Sequence, residues 1–156
     1  MGIRREQMET AFEKIISFAI EKEKEAAELY EKMSGLARKP NAKVMFNELR
    51  AEEIKHRESL EGMTEQRVPD LPLQEVTDLK ISDYLVEVDL RPDMDYQDIL
   101  IVAMKREESA VKLYSDMAEK AQIPRLQKLL TFMSQEEARH KLRLETEYDE
   151  NVLRED

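Results

Sequence analysis

The chain has 156 residues, enough for about one domain with a single buried core. Its composition is 38% charged and 6% aromatic, with 3 Gly and 5 Pro, a balance that favours long helices over sheets. The net charge of −10 argues against nucleic acid or an anionic membrane as partner, and the lack of Cys excludes disulfides, thiol catalysis and thiolate metal sites.

Apolar residues recur every three or four positions in four segments of the chain. This period predicts helices from Met8 to Ala37, from Ala42 to Met63, from Tyr96 to Ala121 and from Leu126 to Leu144. Pro40 and Pro124 stand near two of the predicted helix starts, where a missing N–H costs nothing. The segment from about 64 to 94 is different, because it contains three prolines, lacks a helical period and has a strand-like run at Tyr84–Leu90.

The chain also contains an internal repeat. Residues 15–61 align without a gap onto residues 99–145, at an offset of 84, with 14 identities in 47 positions. Each half is therefore predicted to be a helical hairpin, at about 5–63 and 95–148. The intervening crossover is long enough to run the length of a bundle. We predict an all-α, ferritin-like four-helix bundle that forms a single domain over 1–156.

Each predicted helix has a Glu in its inward apolar stripe, and two helices add a His one turn later. These residues are Glu23, Glu53, His56, Glu107, Glu137 and His140. No Lys or Arg lies in the stripes. Because an unpaired carboxylate in a core is very costly, four of them require compensation. Two divalent cations would balance the four charges, with the imidazoles as neutral ligands.

The spacing places these residues at one level of the bundle. The first hairpin turn centres near residue 38, so Glu23 and Glu53 each lie 15 residues from it, about 22 Å along the helix axis. Glu107 and Glu137 repeat this about residue 122. The i, i+3 spacing sets each His on the same helix face as its Glu. One Glu on two helices and Glu-x-x-His on the other two is the ligand arrangement of di-iron and di-manganese carboxylate proteins.

Other polar residues near the stripes have simpler interpretations. Most Glu are solvent-facing, and we assign Glu21, Glu25, Glu28, Glu52 and Glu136 to that group. Tyr30 and Tyr114 each lie two turns beyond a candidate ligand. Two interpretations account for them equally well. One is core packing, and the other is a catalytic role in which each hydroxyl hydrogen-bonds a carboxylate of a neighbouring helix.

These motifs resemble the rubrerythrin-like branch of the ferritin-like superfamily. The resemblance rests on the runs Ala19–Tyr30, Glu52–His56, Ala103–Tyr114 and Glu136–His140. It implies that Glu53 and Glu137 bridge two metal ions, that Glu23 and Glu107 are terminal ligands, and that His56 and His140 supply nitrogen. The chain departs from the family in two respects. It has no Cys-rich rubredoxin domain, and Ala110 stands where rubrerythrins carry a further carboxylate.

The expected function is that of a di-iron oxidoreductase, a peroxidase or ferroxidase acting on hydrogen peroxide or O₂. Manganese fits the ligands almost as well as iron. Electrons would come from a separate donor protein or from ferrous ions. We expect a cytoplasmic homodimer, in which the hairpins pair within one chain or are exchanged between two, with no nucleic-acid or membrane partner.

Two other functions stay open at this point. One is an iron-binding or storage protein, since bacterioferritin has a similar ligand pattern. The few residues after the fourth helix lead us not to expect the short fifth helix on which its 24-subunit shell depends. The other is a bundle in which the metal pair has a structural or regulatory role.

Overall fold

Four α-helices make up the bundle, as predicted. A computed structural model describes residues 2–64 and 66–153, so residues 1 and 154–156 of the predicted domain and residue 65 of the crossover lie outside the described part. The helices are α1 (Gly2–Leu36), α2 (Pro40–Glu61), α3 (Tyr96–Lys120) and α4 (Pro124–Tyr148). A π-helical turn at Asp149–Leu153 continues α4. No described helix is long and apolar enough to cross a membrane.

The starts of three helices are set by local chemistry. Pro40 and Pro124 lie in the first turns of α2 and α4, and the residue before each is extended, as the proline ring requires. At the start of α3, the side chain of Asp95 accepts a 2.8 Å hydrogen bond from the backbone N–H of Asp98. The prolines keep the connections at 37–39 and 121–123 short, so each pair of helices is an antiparallel hairpin.

The core is divided into two apolar clusters, at opposite ends of the bundle. One joins Phe46 near the start of α2 to Ile99 near the start of α3 and Leu144 near the end of α4. The other joins Phe12 of α1 to Leu60 at the end of α2. Because α2 and α3 both begin at the first cluster, they run parallel and their connection must span the bundle. This is the ferritin-like topology.

The predicted inward stripes face this core. Nearly all of their residues are buried, and His56, Met63, Ala110 and Met117 are half-buried. The two hairpins pack against each other within one chain, since both apolar clusters contain residues of both hairpins.

The crossover lies along α4. Its buried residues Leu71 and Met94 belong to the second and first clusters respectively, so it passes from one end of the bundle to the other. Contacts with α4 follow in order along both segments, joining Asp70 to Lys128, Gln74 to Gln135 and Asp78 to Lys141. The crossover therefore covers one helix of the second hairpin.

The strand-like run at Tyr84–Leu90 does not form a strand. The described residues contain no β-strand, and this region has only a 3₁₀ turn at Ser82–Tyr84. A strand needs a partner, and here the alternation of side chains serves packing against helices. Leu85, Val88 and Leu90 contact the first apolar cluster, while Tyr84 and Val86 are more than 80% exposed.

A buried ion pair fixes the middle of the crossover. Glu145 of α4 is fully buried, and its Oε2 accepts from the backbone N–H of Ser82 at 2.9 Å and from Lys141 Nζ at 3.2 Å. Lys141 also donates to Asp78 Oδ1 at 2.6 Å. Burial alone would lower the pKa of Lys141, but these two carboxylates raise it above its ordinary value. Lys141 is therefore the cation that compensates Glu145.

Replacing Lys141 should destabilise the protein far more than replacing another lysine of the same helix. Lys141→Met leaves the buried Glu145 carboxylate without its cation, and we expect a loss of about 3 kcal/mol in the free energy of unfolding. Lys128→Met removes an exposed pair with Asp70 and should change it by less than about 1 kcal/mol. Urea denaturation of both variants measures the difference. Equal effects would contradict the assigned role of Glu145 and Lys141.

Candidate metal centre

All six predicted ligands meet in one layer between the two apolar clusters. The four Glu are at most 1% exposed and His140 is 3% exposed, whereas the His56 side chain is 14% exposed. They form two groups of potential ligand atoms, each within 4.8 Å: Glu23, Glu53, His56 and Glu137 in one, and Glu53, Glu107, Glu137 and His140 in the other. Glu53 and Glu137 belong to both groups, which is the position that a bridging ligand occupies.

The two imidazoles turn the same nitrogen towards the carboxylates. His56 Nδ1 lies 3.6 Å from Glu23 Oε2 and 3.7 Å from Glu137 Oε1. His140 Nδ1 lies 2.7 Å from Glu53 Oε1, without the angles of a hydrogen bond, and 3.9 Å from Glu107 Oε2. The rings stack, with centroids 5.8 Å apart and planes 16° apart. Both Nε2 atoms are thus left for contacts outside the layer.

The buried atoms that lack a hydrogen-bond partner form a pattern. Glu53 and Glu137 each have two such oxygens, while Glu23 and Glu107 have only Oε2. The Nδ1 atoms of both histidines are also without a partner. Buried polar atoms are rarely left unsatisfied, so this concentration needs an explanation. Two bridging carboxylates, two terminal carboxylates and two nitrogens fit a pair of metal ions.

The two tyrosines hold the terminal carboxylates crosswise between the hairpins. Tyr30 of α1 donates to Glu107 Oε1 at 2.5 Å, and Tyr114 of α3 donates to Glu23 Oε1 at 3.2 Å. Burial and the neighbouring carboxylates raise the pKa of both hydroxyls, which keeps them protonated as donors. Each bond leaves the other oxygen, Oε2, directed to the centre. The catalytic role assigned to these tyrosines stays a prediction.

The interpretation of Glu52 and Glu136 as merely solvent-facing was incomplete. Glu52 is half exposed, yet its Oε2 lies 2.6 Å from His140 Nε2 on the opposite hairpin. Glu136 is similarly placed by the repeat, 4.0 Å from His56 Nε2. A carboxylate on the outer nitrogen orients a ligand histidine and fixes its tautomer. Their repetition just before Glu53 and Glu137 was the available sequence signal.

Arg106 was not identified from the sequence. It lies outside the inward stripe of α3, but its Nη1 reaches 2.7 Å from Glu107 Oε1 and 3.5 Å from Glu137 Oε2. The expectation that no Lys or Arg neutralises the carboxylates was therefore wrong. A periodic pattern shows on which helix face a side chain begins. The long side chain of an arginine can begin outside that face and still place its charge near the core.

Protons would compete with metal ions for this site. Burial and the charge of Glu137 raise the pKa of Glu107 to about 8, and burial with the same neighbour raises that of Glu53 well above its usual range. Burial favours neutral imidazoles, but the carboxylates outweigh it and raise the pKa of His56 to about 10 and of His140 to about 9. Metal binding would displace these protons.

A comparison with protein families agrees with the fold and the ligand pattern. The family model Rubrerythrin matches residues 98–156, which contain α4, all but the first two residues of α3, and the candidate ligands Glu107, Glu137 and His140. The first hairpin carries the equivalent residues through the internal repeat. The chain matches no curated protein and no solved structure. Residues 98–156 are thus similar to the Rubrerythrin family, and the chain folds as a four-helix bundle with ferritin-like topology.

The first prediction from the site concerns pH in the presence of a chelator. The histidine pKa values of about 9 and 10 exceed the ordinary value of 6.5, so their contribution to stability is complete below pH 6.5 and lost as pH rises through 9–10. The raised pKa of Glu107 also lowers the free energy of unfolding as pH rises from 4.5 to 8. The free energy of unfolding should fall from pH 6.5 to 10, by up to about 1.4 kcal/mol per pH unit for each proton retained.

Urea denaturation at several pH values in chelator measures this fall. Stability that is constant or rises over this range would contradict the proton assignment.

The second prediction compares the outer carboxylates. Glu52→Ala removes the 2.6 Å contact to His140, and we expect metal affinity to fall about 10-fold or more. Glu136→Ala, at the equivalent position of the repeat, removes only a 4.0 Å approach and should have a smaller effect. Calorimetric titration with a divalent metal measures both. A larger loss in Glu136→Ala would contradict the orienting role of Glu52.

Proposed function

We propose that this chain is a non-haem di-iron oxidoreductase that reduces hydrogen peroxide or O₂. The observation that supports this most is the set of buried ligand atoms that lack a hydrogen-bond partner. Glu53 and Glu137 each have two such atoms, and each of the other four candidate ligands has one. A purely structural carboxylate layer would hold its oxygens in hydrogen bonds. A mixed set of carboxylates and imidazoles suits iron, and manganese is the closest alternative.

The residues of the chain have distinct roles in this proposal. Glu53 and Glu137 would hold both ions, while Glu23 and Glu107 would each offer one oxygen, because a tyrosine holds the other. Such ligands would leave room for a small oxidant at the metal pair. When bound, the ferrous pair supplies the two electrons that reduction of peroxide requires. The tyrosine hydroxyls keep the terminal carboxylates in position during this reaction.

A surface pocket supports access for a small oxidant. It lies between α1 and α3, has a volume of about 160 Å³, and is lined by Arg106, Ala110 and Tyr114 among others. Arg106 and Tyr114 both contact candidate ligands, so the pocket borders the metal layer. The small side chain of Ala110 contributes to this opening. We propose it as the route by which peroxide or O₂ arrives.

The separate electron donor and the homodimer remain predictions from the sequence. The location in the cytoplasm is likewise a prediction from the sequence.

The experiment is metal analysis followed by kinetics. Protein purified without chelators should hold two metal ions per chain, and ferrous loading should raise the melting temperature, since a ligand bound only by the native state adds stability. The loaded protein should then oxidise its iron on mixing with peroxide and turn over with a supplied reductant. His140→Leu should lose metal affinity and oxidation rate together.

Three outcomes would contradict the proposal in different ways. Saturation at one ion per chain would exclude the metal pair. Accumulation of many ferric ions per chain would favour storage. A stable pair of ions without turnover would favour a structural or regulatory site.

A further inference from the structure

Arg106 and Lys22 occupy equivalent positions of the repeat, 84 residues apart, but behave differently. Arg106 turns inwards to Glu107 and Glu137 and is 20% exposed. Lys22 turns outwards, where its Nζ lies 3.5 Å from Glu25 and 5.4 Å from the centre of the Phe18 ring, and it is 39% exposed. Only one of the two groups of ligand atoms therefore has a guanidinium on its terminal carboxylate.

We propose that Arg106 makes the two metal positions unequal. A divalent ion binds first and more tightly among Glu23, Glu53, His56 and Glu137, and a second binds more weakly at the position that contains Glu107 and His140. This inference rests on the proposed metal pair. It adds the order in which the two positions bind metal ions, and it names Arg106 as the cause of that order.

The first reason is charge. An ion at the Glu107 position shares its carboxylate with a guanidinium that already lies 2.7 Å from it. Like charges repel strongly in such buried surroundings. Arginine remains charged under all ordinary conditions. At the other position, Glu23 pairs with His56, whose Nδ1 lies 3.6 Å from Glu23 Oε2 and which is itself a candidate ligand.

The second reason is the number of donors on each terminal carboxylate. Glu107 Oε1 accepts from both Tyr30 and Arg106, at 2.5 and 2.7 Å. Glu23 Oε1 accepts from Tyr114, at 3.2 Å. A carboxylate that shares its charge with two close donors has less to offer a metal ion. Glu107 is therefore the weaker ligand of the two.

Arg106 is also held in place from the opposite hairpin. Its Nη2 lies 3.4 Å from the backbone carbonyl oxygen of Lys22, so it is tied across the α1–α3 interface. The guanidinium is thus fixed between a carbonyl of α1, Glu107 of its own helix and Glu137 of α4. It is a positioning residue that acts on metal ions through the ligands they share.

The test is a titration of chelator-treated protein with cobalt(II), followed by calorimetry and absorbance. The parent should bind two ions in two resolved steps. Arg106→Met should strengthen the second step about tenfold, which corresponds to about 1.4 kcal/mol, and bring the two steps together. Lys22→Met removes the same charge from the equivalent position and should leave both steps unchanged. Arg106→Lys, which keeps the charge, should keep two steps.

The metal-free variants give a second readout. Arg106→Met should melt at a lower temperature than the parent and Lys22→Met, because its carboxylates have lost a cation. If Arg106→Met does not fold, Arg106→Gln, which keeps a donor group without charge, takes its place. Two equal ions in the parent, or a second step that Arg106→Met leaves unchanged, would overturn the inference and leave the proposed function standing. Fewer than two ions in the parent would refute the proposed function itself.

Discussion

Four carboxylates meet in the middle of this bundle, and the protein has too few cations to neutralise them. Among the described residues, Arg106 and the two histidines are the cations in contact with them, so even full protonation of both rings leaves three positive charges for four negative ones. Burial makes this imbalance expensive, and it appears as the raised pKa values of Glu53 and Glu107. Protons or metal ions must supply the missing charge. The same layer divides the apolar core in two, so each half of the bundle packs as a separate cluster around it.

The sequence repeat supplies a symmetric set of ligands, but the residues beside them break the symmetry. Glu52 contacts His140 closely, whereas the equivalent Glu136 stays 4.0 Å from His56. Arg106 enters the site and Lys22 does not. His140 is also the more deeply buried of the two histidines. All three differences fall on the group of ligand atoms that contains Glu107 and His140. The six candidate ligands are thus arranged symmetrically, whereas their surroundings make the two halves distinct.

The six candidate ligands could be predicted because periodicity and the repeat both report the face on which a side chain begins. The helix positions followed for the same reason. Arg106 and Glu52 could not be placed, because their roles depend on how far a side chain extends across to another helix. The burial of Glu145 could not be predicted either, because the equivalent residue of the repeat, Glu61, is exposed. The strand-like pattern at Tyr84–Leu90 does not correspond to a strand. Alternation of apolar residues shows that one side of a segment is covered, but not whether a strand or a helix covers it.

The crossover and the layer of candidate ligands are linked through α4. Lys141 follows His140 directly, so their side chains point about 100° apart around the helix. Lys141 and Glu145 bind Asp78 and Ser82 of the crossover, which fixes the rotation of α4 about its axis. With that rotation fixed, Nδ1 of His140 points to the carboxylates and Nε2 to Glu52. A connection that contributes no ligand therefore helps to set the direction of one.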